Sequence, residues 1–136
     1  MQARVRWNGK MGFVGISGTN HAVVMDAKPE YGGDGAAASP MEMVLMGLAG
    51  CSGLDVVSIL QKKRVGLRQL EISLDAERAE THPKVFTRIN VRFAAEGDGL
   101  TEKQLSDAVR LSMEKYCSVA GMLSKTAEIN WSVEIL

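Results

Sequence analysis

Three observations predict an α+β fold in the order βββ-α-ββ-α-α-β. Alternating apolar runs stand at both ends of the chain, one stretch from Met41 to Leu60 is apolar all round, and a later helical stretch packs by a single face. At 136 residues the chain fits one domain, 1–136, long enough to bury a core. Sixteen basic and sixteen acidic residues cancel, with no long run of either sign, which argues against nucleic acid or an anionic membrane as a partner. The opening residues MQARVRWNGK contain no apolar leader, and two cysteines are too few for a secreted disulfide framework, so a cytoplasmic protein is expected.

Residues 2 to 26 alternate in short runs, with Ala3, Val5 and Trp7 in one and Val14 and Ile16 in the next. Turn signals at Asn8-Gly9 and Gly18-Thr19-Asn20 separate them into a three-stranded antiparallel meander. The stretch from Pro29 to Ala38 holds Tyr31-Gly32-Gly33-Asp34-Gly35, but no strand leads directly in and no Lys-Ser/Thr follows. It reads as a mobile linker, not a phosphate loop.

Ser39-Pro40-Met41-Glu42 places a cap, an N1 proline and an N3 glutamate in capping-box order, opening a helix to about Lys62. Glu42, Asp55 and glycines interrupt its apolar run, so a buried helix is expected and not a membrane span. Gly47, Gly50 and Gly53 form a stripe where another backbone can come close. Leu70-Ile72-Leu74-Ala76 and Phe86-Ile89-Val91-Phe93 read as a long hairpin with one wet face, turning at His82-Pro83. Thr101 to Gln104 is a second capping box, and Leu105, Ala108, Val109, Ser112, Met113 and Tyr116 keep helical spacing to Cys117. Ser118 is placed to cap a short helix to about Lys125, and Ile129-Trp131-Val133-Ile135 alternates as a closing strand.

Cys51 and Cys117 are the only thiols, and they lie too far apart for a CxxC loop or half a zinc knuckle. His21 and His82 have no partner at ligand spacing, so no metal and no cofactor is expected. Ser39-Pro40-x-Glu42-x-x-Leu45, the small residues before Cys51, and Lys115-Tyr116-Cys117-Ser118-Val119 together resemble the OsmC/Ohr family of osmotically inducible and organic hydroperoxide resistance proteins. Pro83 to Ile89 looks like that family's hairpin segment. Pro40 to Met46 and Cys51-Ser52-x-x-Asp55-Val56-Val57 are similar to its YhfA-like branch.

The resemblance implies an OsmC-like fold and an intertwined homodimer, with two long helices back to back and antiparallel sheets wrapped around them. It also implies a thiol peroxidase for organic hydroperoxides, with Cys51 peroxidatic, Cys117 resolving, a Cys51–Cys117 disulfide and a dithiol reductant. In better characterised branches an arginine and a glutamate activate the first cysteine. Here Met41 holds the glutamate's position, Glu42 stands one place later, and Lys10 lies near the position expected for the arginine. From Glu42 to Cys51 the helix turns through about 180°, so the two side chains should face opposite ways. Lysine also lacks the planar fork of arginine.

A thiolate attacks the O–O bond, so the site needs a cation, for which Lys10, Arg4, Arg6 and Arg88 are candidates. Asp55 shares a helix face with Cys51, and a carboxylate there disfavours the thiolate unless it is paired, an arginine being the expected partner. Met41, Met43, Met46, Met113 and Met122 suit either core filling or a pliable pocket for fatty or aryl hydroperoxides. The competing expectation is a non-catalytic dimer that binds a small apolar or electrophilic ligand in the same pocket.

Overall fold

The computed structural model describes residues 1–136 in two compact units, Met1–Leu45 and Met46–Leu136. In the first, the alternating runs form the expected meander of β1 (Ala3–Trp7), β2 (Phe13–Ser17) and β3 (Ala22–Met25), antiparallel in that order. The β1–β2 turn is closed by Asn8 N–H donating to the Gly12 carbonyl at 2.8 Å, and Gly9 takes the positive φ of 95° that this turn requires.

The stretch expected to be a mobile linker is instead folded around one carboxylate. Buried Asp26 accepts backbone N–H bonds from Ala27 at 2.8 Å, Ala36 at 3.0 Å and Asp34 at 3.2 Å. A 3-10 turn at Pro29–Tyr31 completes the loop, and a side chain at Gly33 would collide with the Ala27 carbonyl. The donations, led by that of Ala36, hold the Asp26 carboxyl below the usual carboxylate range. Glycine-rich composition is visible in the sequence; the carboxylate it wraps is not.

The long helix α1 (Pro40–Lys62) starts at the predicted capping box. Glu42 N–H donates to Ser39 Oγ at 3.2 Å, and Ser39 N–H donates to Glu42 Oε2 at 2.7 Å. Its burial departs from expectation. One face, carrying Leu48, Ser52, Gly53, Val56 and Leu60, is buried, whereas Leu54 is 76% and Met46 49% exposed. A single chain covers one face of α1 and no more. Close approach along the glycine stripe is likewise confined to Gly53, where an added Cβ would meet Ile72 Cδ1 at 2.9 Å; Gly47 and Gly50 face open space.

In the second unit β4 (Gly66–Arg78) and β5 (Phe86–Asp98) form the expected hairpin, longer at both ends than its apolar alternation. Their register pairs Ile72 with Phe93, Leu74 with Val91 and Ala76 with Ile89, which puts the apolar sets on one face. The closing strand β6 (Glu128–Ile135) runs parallel to β5, so the sheet is mixed, where the resemblance implies antiparallel. The long helical connection from Asp98 to Glu128 permits that crossover, which a tight turn could not.

The connection holds the largest departure. α2 (Glu102–Leu111) begins at its predicted capping box, with Gln104 N–H donating to Thr101 Oγ1 at 3.2 Å. It does not continue as an α-helix to Cys117. Ser112–Tyr116 forms one π turn, closed by Cys117 N–H donating to the Ser112 carbonyl at 2.8 Å. α3 (Ser118–Leu123) is then capped by Cys117, not by Ser118, because Cys117 is the residue with extended backbone. Leu105, Ala108 and Val109 of α2, the buried face of α1, and Ile89, Val91 and Phe93 of β5 make up the core.

Candidate functional site

Cys51 lies mid-helix in α1 and is half-buried; Cys117, at the mouth of the π turn, is 4% exposed. The fold brings these distant thiols near enough for Cys51 to bear on the Cys117 thiol. Burial, as the largest cause, pushes the Cys117 thiol up to about 11, and the neighbouring Cys51 pushes in the same direction. The backbone N–H of Ala120, 3.3 Å from Cys117 Sγ, opposes the rise only in part.

The two sulfurs are therefore unlike. Cys117 is a buried thiol pinned at the start of α3; Cys51 is the more accessible one. An accessible thiol near a buried one is the arrangement that a nucleophile and its later partner require.

One turn beyond Cys51, Asp55 accepts a hydrogen bond from Ser112 Oγ at 2.8 Å. The expected arginine partner is replaced by a buried hydroxyl, which is also 3.4 Å from the Ser52 carbonyl. Ser52, fully buried, donates its own hydroxyl to the Leu48 carbonyl at 2.8 Å. Sequence reasoning passed over Ser112, although a hydroxyl among Leu105, Ala108 and Val109 on a packing face is a signal, since a buried hydroxyl needs a partner.

Three of the other candidates, Glu42, Lys10 and Arg88, have local partners. Glu42 is engaged by Ser39, whose backbone N–H is the main cause of its lowered carboxyl pKa. Lys10 Nζ donates to Asp34 Oδ1 at 2.9 Å, and Arg88 lies 3.4 Å from Glu77. Of the methionines in the second unit, Met46 and Met122 are exposed, while Met113 lines a cavity of about 250 Å³ with Ala120, Ile129 and Trp131. A larger cavity, about 370 Å³, opens beside Asp55 and is lined by Ser58, Ile59, Lys62, Leu111 and Tyr116. A hollow of about 480 Å³ lies across the polar face of the second sheet and contains neither cysteine.

Residues 32–132 match the family model described as OsmC-like protein. The chain is 48% identical to Protein YhfA of Escherichia coli strain K12 over 136 residues, covering 100% of this chain and 98% of that one. The crystal structure of a hypothetical protein from Aquifex aeolicus VF5 is similar at a TM-score of 0.82 and 31% identity, covering 99% of this chain and 96% of the other. An organic hydroperoxide resistance protein OsmC from Legionella pneumophila shares the fold at a TM-score of 0.71 and 17% identity, over 98% and 97% of the two chains. With its two sheets, its long helix and this full-length similarity, the chain belongs to the OsmC-like protein family.

Proposed function

We propose that the protein is a thiol peroxidase that reduces organic hydroperoxides through Cys51 and Cys117. One observation carries the reading: the only two thiols of the chain, far apart in sequence, are brought near each other, Cys51 accessible and Cys117 buried. The Cys51 thiolate attacks the distal oxygen of ROOH; the O–O bond breaks, ROH leaves after taking a proton, and Cys51 becomes a sulfenic acid. The Cys117 sulfur then attacks the Cys51 sulfur. Water leaves, made from the sulfenic hydroxyl and the Cys117 proton, and a disulfide remains. A dithiol reductant returns both cysteines to thiols, so two electrons pass from the dithiol to the hydroperoxide. Membership of a family that includes an organic hydroperoxide resistance protein supports this chemistry.

The working form is a homodimer in the cytoplasm, whose reducing conditions would keep Cys51 and Cys117 as thiols between turnovers. The uncovered α1 stripe of Gly47, Gly50 and Leu54 supports the pairing, because such a stripe admits the same helix from a second copy. The substrate is an organic hydroperoxide with an apolar body.

A second reading has its own support. Glu42 and Lys10 are held by Ser39 and Asp34, and the cavity beside Asp55 has room for a small molecule. On that reading the dimer binds an apolar or electrophilic ligand without turnover. One equivalent of cumene hydroperoxide added to the reduced protein separates the two. Intact mass and non-reducing peptide mapping should show a Cys51–Cys117 disulfide within seconds, with hydrogen peroxide much slower and Cys51→Ser inert. Two free thiols after that exposure would overturn the peroxidase and leave the binder.

A further inference from the structure

Two hydrogen bonds tie the backbone of Cys117 to the helix that carries Cys51, and Ser112 makes both. From Cys51, α1 leads one turn to Asp55; Asp55 accepts from Ser112 Oγ at 2.8 Å; and the Ser112 carbonyl accepts from Cys117 N–H at 2.8 Å. Ser112 is fully buried and begins the π turn, so its hydroxyl holds α1 while its carbonyl holds the backbone of Cys117. A disulfide closes only when the Cα atoms stand about 4.4–6.8 Å apart with the sulfurs aligned, a tolerance that one loosened turn would exceed.

We propose that Ser112, anchored on Asp55, is the positioning residue for the resolving step: the Asp55–Ser112 hydrogen bond fixes the π turn against α1 and so sets Cys117 in reach of the Cys51 sulfenic acid. The proposal rests on the two-cysteine reading above. It assigns Asp55 the role of an acceptor for the tether and not of an electrostatic partner for the thiolate. It also accounts for the π turn, whose i→i+5 bond is the link from Ser112 to Cys117. Ser112 is fully buried, so the first chemical step should not depend on it.

Ser112→Ala and Asp55→Ala remove the tether; Asp55→Asn keeps a carbonyl acceptor and removes the charge. In single turnover with cumene hydroperoxide, a dimedone-type nucleophile reports the sulfenic acid and peptide mapping reports the disulfide. Ser112→Ala should form the sulfenic acid within about twofold of the parent rate, close the disulfide at least tenfold more slowly, and accumulate the trapped adduct. Asp55→Ala should show the same slow closure once the sulfenic acid has formed, and Asp55→Asn should retain most of the closing rate. Equal closure in parent and alanine variants overturns the proposal, as does equal slowing of both steps in Ser112→Ala.

A second arm needs no hydroperoxide. In dithiol redox buffers, a tenfold loss of effective concentration between the thiols raises the disulfide potential by about 30 mV, and Ser112→Ala should show at least that. A parent protein that ignores hydroperoxide but shows this shift loses the peroxidase and keeps the tether. An unchanged potential in Ser112→Ala, or a parent that never closes the disulfide, rejects the tether itself.

Discussion

A cysteine buried to 4% exposure and capping a helix usually acts as a small hydrophobe, and Cys117 has that environment together with a second thiol beside it. Its raised pKa has two measurable consequences. Between pH 7 and 8, iodoacetamide should label Cys51 at least tenfold faster than Cys117, and urea should abolish the difference; equal labelling of the native protein would contradict the burial. The second consequence concerns stability. A thiol whose folded pKa, about 11, exceeds its ordinary value of 9.0 contributes stability that is complete below pH 9 and lost as the pH rises toward 11. Thermal melts from pH 8 to 11 should fall more steeply for the parent than for Cys117→Ala.

At the scale of elements, local signals were legible and distant ones were not. Both capping boxes, Ser39 with Glu42 and Thr101 with Gln104, join residues three apart, so the pattern contains the whole interaction. Thr101→Ala should therefore cost about 0.5–2 kcal/mol in urea unfolding, through α2 alone. The Asp26 loop and the Asp55–Ser112 bond join residues whose proximity only the fold creates, and no periodicity announces them. The π turn escaped for another reason: a single i→i+5 turn barely disturbs a 3.6-residue pattern, so the spacing through Tyr116 still looked helical. Asp26 allows a test in acid. Its carboxyl pKa is lowered in the fold, so its contribution is present above the unfolded carboxyl value and is lost as the pH falls through the folded one. Asp26→Asn should be less stable than the parent near pH 7 and should lose less on acidification below about pH 4. Parallel stability curves for the two proteins would show that the carboxylate does not organise the loop.

For the whole molecule, α1 offers a test whose sign alone decides the assembly. Gly50 sits mid-helix, and a Cβ there meets nothing within 4 Å in the single chain. Glycine in a helix interior costs about 1 kcal/mol relative to alanine, so in an isolated protomer Gly50→Ala should raise the melting temperature. In a dimer whose two α1 helices meet along Gly47, Gly50 and Leu54, the same methyl enters a backbone-to-backbone contact and should lower it, overpacking typically costing about 1–3 kcal/mol. Leu54→Arg supplies the independent arm. At 76% exposure in one chain, an arginine there should cost a monomer almost nothing, whereas at a buried helix pair it places two like charges face to face. Sedimentation equilibrium should then give twice the 14.7 kDa chain mass for the parent and a single chain mass for Leu54→Arg. A parent that sediments as one chain, with Gly50→Ala stabilised, would remove the dimer and leave the open face of α1 to another partner.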